Sequence, residues 1–200
     1  MKDFTTFFLL LVLLSVFYLY LETKALNVIY IEAYDGKKYL VRDLEDKETA
    51  AKLLANISKN CQTLITYVYE NRDSFQQSKK GIERLHKNFK PDVISESSPN
   101  NNYTSYSINK GEKLVFCIRK KRGSHANELM DLNTMMFVAI HELAHLMTKS
   151  VGHTPEFWAN MKFLLQQAIK EDVSVYEEQD FSNNPEQYCG MTITDSPLYS

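Results

Sequence analysis

Three of the chain's five histidines fall between positions 141 and 153, in the run HELAHLMTKSVGHTPEFW that begins at His141. On an α-helix, residues four apart are rotated by about 40° and displaced by about 6 Å, so His141 and His145 point the same way and can reach one ion. Glu142 lies about 100° around that helix, close enough to touch a water on the ion without binding the ion itself. A catalytic zinc keeps three protein ligands and leaves one position for water. His153 is the natural third ligand, because Gly152 lets the chain turn back and Thr154 fixes the histidine to the start of the next helix. The expected cofactor is therefore Zn2+. Zinc lowers the pKa of its water to about 7, Glu142 accepts the proton as the water attacks a carbonyl, and peptide-bond hydrolysis is the reaction such a site suits best.

The elements around this run must carry it. Residues 132–149 are apolar nearly all round, which predicts a helix buried at the centre of a domain, with Asp131 or Asn133 as its cap and Gly152 beyond its end. Thr154 caps a following helix with Pro155 in its first position and Glu156 in its positive first turn. Upstream, residues 27–41 alternate on both sides of Asp35-Gly36 and predict a β-hairpin. From Lys47 to Asn71 apolar residues recur at helical spacing, which makes Cys61 an ordinary buried thiol. Asp73 is expected to cap a second helix reaching about Phe89, weakened by about 1 kcal/mol at Gly81. Residues 95–102 read as a polar loop, and 103–108 with 113–119 as a second hairpin around Asn109-Lys110-Gly111-Glu112. The strand Leu114–Arg119 could hold an extended substrate by edge pairing. Arg119 to Arg122 read as a solvated hairpin exit, and His86 and His125 as surface residues. Beyond Asp172 the tail is expected to return as irregular chain over the core. Within it, Tyr188 is the candidate donor to a developing oxyanion.

With 44% hydrophobic and 24% charged residues, 200 residues describe one domain with a sizeable core. A net charge of −2 lacks the basic footprint of nucleic-acid binding, so nucleic acid is not an expected partner. Cys61, Cys117 and Cys189 are odd in number and far apart; at most one pair can form, and no CxxC metal clip exists. Two sequons, at Asn56 and Asn102, would matter only outside the cytoplasm. Phe4 to Leu21 carries no charge and is long enough to span a bilayer, so residues 1–25 read as a membrane anchor or signal segment and 26–200 as the globular domain. An uncleaved single-pass anchor is favoured over secretion after cleavage, since the residues before Ala25 make a poor cleavage site. The positive-inside count does not settle the orientation.

HELAH followed by GHTPEFW resembles the compact HExxH…H zincins of the SprT-like and WLM groups, in which a glycine precedes the third histidine and an aromatic follows it. The resemblance covers about residues 131–160. It implies zinc bound by His141, His145 and His153, with Glu142 as general base. The expectation is thus an α+β, zincin-like domain with two β-hairpins, an active-site helix and a following helix, preceded by an N-terminal transmembrane helix. Its expected function is that of a zinc-dependent metalloendopeptidase acting on protein or peptide. The alternative is a non-catalytic, zinc-stabilised, membrane-anchored binding module.

Overall fold

Alternating and helical hydrophobic patterns divide the chain into a mixed sheet and the helices laid against it. The computed structural model describes residues 2–98, 104–121 and 125–199, with side chains of the first helix at 6–19. In order they form α1 (Lys2–Leu26), β1 (Val28–Glu32), β2 (Lys38–Arg42), α2 (Lys47–Glu70), α3 (Lys79–Asn88) and β3 (Ile94–Glu96). Then follow β4 (Tyr106–Ile108), β5 (Lys113–Phe116), α4 (Leu132–Met147), α5 (Pro155–Ala168), β6 (Glu186–Tyr188) and β7 (Met191–Ile193). The fold is α+β.

The five strands run in the order β1-β2-β3-β5-β4. The pairs at each edge, β1 with β2 and β4 with β5, are antiparallel hairpins, and the central pairs are parallel. The first hairpin turns at Gly36, whose φ of 74° suits a residue without Cβ. β3 overlaps the start of the stretch expected to be a polar loop, at Ser95 and Glu96. Its residues Ser95 and Glu96 are buried because a parallel strand between two neighbours is covered on both faces, so polarity there marks a buried network instead of solvent.

That network corrects a second expectation. Arg119 is 3% exposed, not solvated. Its Nε donates to Glu96 Oε1 at 2.7 Å, and its Nη1 donates to Asp46 Oδ2 at 2.6 Å and to the Asn127 carbonyl at 2.9 Å. Glu96 Oε2 accepts from the Arg42 amide at 2.7 Å. One guanidinium therefore ties β3, the start of α2 and the segment that leads into α4. Arg122 and the Asn102 sequon lie outside the described residues.

α2 packs on α4, and the residues that face inward are those at helical spacing, Cys61 included. α3 is capped by Ser78, whose Oγ accepts from Gly81 N at 3.3 Å, while Asp73 pairs with Lys79 at 2.6 Å and caps nothing. The tail is more ordered than expected. β6 and β7 form a small hairpin, joined to the end of β5 by the Cys117–Cys189 disulfide, and Asn133 holds the Glu177 backbone by two hydrogen bonds.

The N-terminal helix overturns the anchor. Among the described residues no helix is long and apolar enough to cross a membrane. The transmembrane helix and the single-pass placement drawn from it are therefore not supported. None of the described side chains of α1 is buried.

Two stability measurements test this account. Gly111 has a φ of 111°, and a Cβ there would collide with the Asn88 carbonyl oxygen; at Gly36 it would meet nothing within 4 Å. Gly36→Ala should cost about 1 kcal/mol for its left-handed backbone alone, and Gly111→Ala at least about 1 kcal/mol more, by urea denaturation. Equal costs would contradict the contact. Glu96→Leu should cost about 3–5 kcal/mol by leaving Arg119 buried without its main counter-charge, and adding Arg119→Met should recover much of the loss. A single variant as stable as wild type would remove the network from its structural role.

Candidate metal centre

The centre is built on α4. Asp131 Oδ1 accepts from the Thr134 amide at 2.8 Å and starts the helix; Asn133, the other cap candidate, is engaged with the tail instead. The apolar residues of α4 bury nearly its whole circumference, which leaves the face bearing His141 and His145 as its opening to solvent. Their rings lie 4.9 Å apart.

His153 arrives from the turn between α4 and α5. Gly152 takes a φ of 85°, and Thr154 Oγ1 accepts from the Phe157 amide at 3.4 Å to cap α5. His153 Nε2 stands 3.1 Å from His141 Nε2, and donor nitrogens of all three histidines lie within 4.8 Å of one another. An ion with four ligands at 2.0–2.1 Å separates them by roughly 3.4 Å; the His141–His153 pair, at 3.1 Å, is near that spacing, and nitrogens as far apart as 4.8 Å would have to draw together to share one zinc-sized ion. Imidazole is also the donor type zinc favours. Burial, then repulsion from His145 and His153, pushes His141 down to about 3; burial, then His153 and Lys110, pushes His145 down to about 4. Both rings are therefore neutral near pH 7 and offer a lone pair.

The spacing of the histidines gives no sign of the floor beneath them. Phe157 is fully buried, and its ring centroid lies 4.8, 4.3 and 4.7 Å from those of His141, His145 and His153. It fixes all three rings by packing. The clue was the interval of four between His153 and Phe157, which on the capped start of α5 sets the aromatic beneath the histidine.

Glu142 is 4% exposed and shares with the three histidines a cleft of about 600 Å3. Burial pushes its carboxyl up to about 7, against the backbone amide of Ser107, which hydrogen-bonds it and favours the charged form. Ser107 belongs to β4, so the edge of the sheet forms the opposite wall. The strand expected to hold substrate, β5, lies between β3 and β4 and has no open edge. Tyr188 sits behind that wall. It is 3% exposed, and its hydroxyl lies 2.5 Å from Ser105 Oγ, which does line the cleft and also accepts from the Cys117 amide. Burial, with the nearby Glu142 charge, keeps the phenol protonated well above the ordinary tyrosine range. A second cavity, of about 320 Å3, lies on the other side of His141 between Phe137, Trp158, Met161 and residues 195–197 of the tail. His86 and His125 are exposed and take no part.

No family model matches the chain, and no solved structure matches it. It is similar to three viral proteins. Uncharacterized protein 136R of Invertebrate iridescent virus 6 is 25% identical over 173 residues, 86% of this chain and 90% of that protein. Uncharacterized protein 042R of Invertebrate iridescent virus 3 is 41% identical over 66 residues, 32% of this chain and 38% of that protein. Uncharacterized protein R325 of Acanthamoeba polyphaga mimivirus is 31% identical over 191 residues, covering 95% of this chain and 94% of its own. A likeness that runs through nearly all of both chains at this identity places the protein in the family of mimivirus R325.

Proposed function

We propose that the protein is a zinc-dependent metalloendopeptidase that hydrolyses peptide bonds in a protein or peptide substrate. His141, His145 and His153 would hold the ion, and Glu142 is the general base. The observation that carries this reading is the convergence of three imidazole nitrogens within 4.8 Å on a cleft whose wall also bears a buried carboxylate. When bound, zinc supplies Lewis-acid polarisation of the scissile carbonyl and a water of lowered pKa. Glu142 takes the proton at a carboxylate oxygen as the water attacks, then delivers it to the leaving amine. The Ser107 amide keeps that carboxylate turned to the cleft.

β4 suits an extended substrate, because an edge strand offers backbone groups for one more strand. The cavity beyond His141 gives a place for a side chain next to the scissile bond. Its walls Phe137, Trp158 and Met161 favour a large apolar one. A site that only stabilised the fold would have no use for Glu142 at the cleft, where burying a carboxylate is costly.

Purified protein should hold about one zinc per chain and cleave peptides, and chelation should abolish cleavage until zinc is returned. Glu142→Gln should keep the zinc and lose activity by about 10²- to 10⁴-fold. Full activity in that variant, or a protein that takes up no zinc, would end the proposal. In a peptide-library profile, Met161→Trp should shrink the second cavity and shift the preferred side chain beside the cleaved bond from large to small; an unchanged profile would detach that cavity from specificity.

A further inference from the structure

The turn between β4 and β5 holds a lysine in a place that local preference does not explain. Asn109, Lys110 and Gly111 are consecutive left-handed residues, with φ of 46°, 56° and 111°. Asparagine tolerates that region and glycine has no Cβ, but lysine gains nothing there from its own backbone. What it gains is reach. Its Nζ donates to the carbonyls of His145 at 3.1 Å, Thr148 at 2.8 Å and Ser150 at 2.7 Å.

These acceptors have one thing in common. An α-helix ends with carbonyls that have no partner within it, and its C-terminus carries partial negative charge. His145 belongs to the last turn of α4, Thr148 follows it, and Ser150 lies in the turn that runs on to His153. Arg84 adds a second cation at the Met147 carbonyl, at 3.1 Å, but does not touch the turn. An ammonium has three N–H donors, and all three are used, so Lys110 has none left for a substrate or an oxyanion. Its proximity to the cleft is therefore not a sign of chemistry.

The turn itself has little else to hold it. Val151 is 88% exposed, Gly152 and His153 are exposed, and no side chain from 149 to 153 enters the core. Its other backbone and hydroxyl ties run to the start of α5: Ser150 Oγ to Thr154 Oγ1 at 3.0 Å and the Lys149 amide to Glu156 at 3.5 Å. Among the described residues, apart from the contacts of the His153 ring with His141 and His145, the ammonium is what joins the turn to the end of the helix that carries those two histidines.

We propose that Lys110 is a positioning residue for the metal centre: by clamping the Ser150 carbonyl to the C-terminus of α4, it sets where His153 stands relative to the two helix histidines. The inference rests on the metal reading of the three histidines. The clamp itself can be read without any metal.

The test compares the full chain with Lys110→Met, which keeps the length but has no donors, and Lys110→Arg, which restores a cation with donors. Zinc affinity is measured by competition with a chromophoric chelator, and backbone hydrogen exchange is followed in the metal-free proteins. Lys110→Met should bind zinc about 10- to 100-fold more weakly, as expected for loss of a group that orients a ligand. Exchange should quicken at residues 150–153 and stay slow at 143–146, and Lys110→Arg should recover most of both effects. Unchanged affinity and unchanged exchange in Lys110→Met would overturn the proposal, as would exchange that quickens equally throughout α4, the sign of general destabilisation. If the wild type takes up no zinc, the metal reading fails by itself, and exchange at 150–153 still decides whether Lys110 is the clamp.

Discussion

Three imidazoles whose nitrogens lie within 4.8 Å form a crowd that water would ordinarily disperse, and the surrounding structure works to hold it in place. Protonating any one of them would set a cation against its neighbours, and burial already holds His141 and His145 neutral. Neutral rings at this spacing need support from packing, since they have little attraction for each other. Phe157 supplies it from below, in contact distance of all three. α4 supplies the rest, because a helix buried on nearly every side cannot rotate its one open face away from the cleft.

The position of α4 depends in turn on the sheet. After β5 the chain stays paired, with the Met130 amide donating to the Ile118 carbonyl at 2.9 Å, and the helix begins two residues later. Arg119 sits at this junction, bound to β3 through Glu96 and to the start of α2 through Asp46. On the other side of β5 the Cys117–Cys189 disulfide brings the tail in, which puts Tyr188 behind Ser105 and residues 195–197 against the second cavity. The cleft therefore has one wall from the sheet edge and one from α4 and the turn that follows it, while α5 and the tail line the second cavity.

The parts legible in the sequence are those in which one short segment determines its own structure. The hairpin at Asp35-Gly36, the α2 stripe, the Thr154-Pro155 helix start and the i, i+4 histidines are all of this kind. The parts that were not legible depend on distant partners. Glu96 read as loop because its polarity is answered by Arg119 and Arg42, respectively 23 and 54 positions away. Lys110 read as a turn residue because its acceptors are 35 to 40 positions away. The apolar N-terminus misled in the opposite direction: the lack of charge from Phe4 to Leu21 suggested a bilayer span, and no helix among the described residues is long and apolar enough for one.

The same distinction bears on why Glu142 is informative about function. A carboxylate on an otherwise apolar helix is expensive to bury, and the chain meets that cost with a single strand amide, from Ser107. Elsewhere in this protein a buried carboxylate is treated differently: Glu96 receives a guanidinium and a backbone amide, and so is held on both oxygens. A structural role for Glu142 would call for the same treatment. Instead it lines the cleft one residue from a histidine of the cluster, the placement that the proposed proton transfer would use.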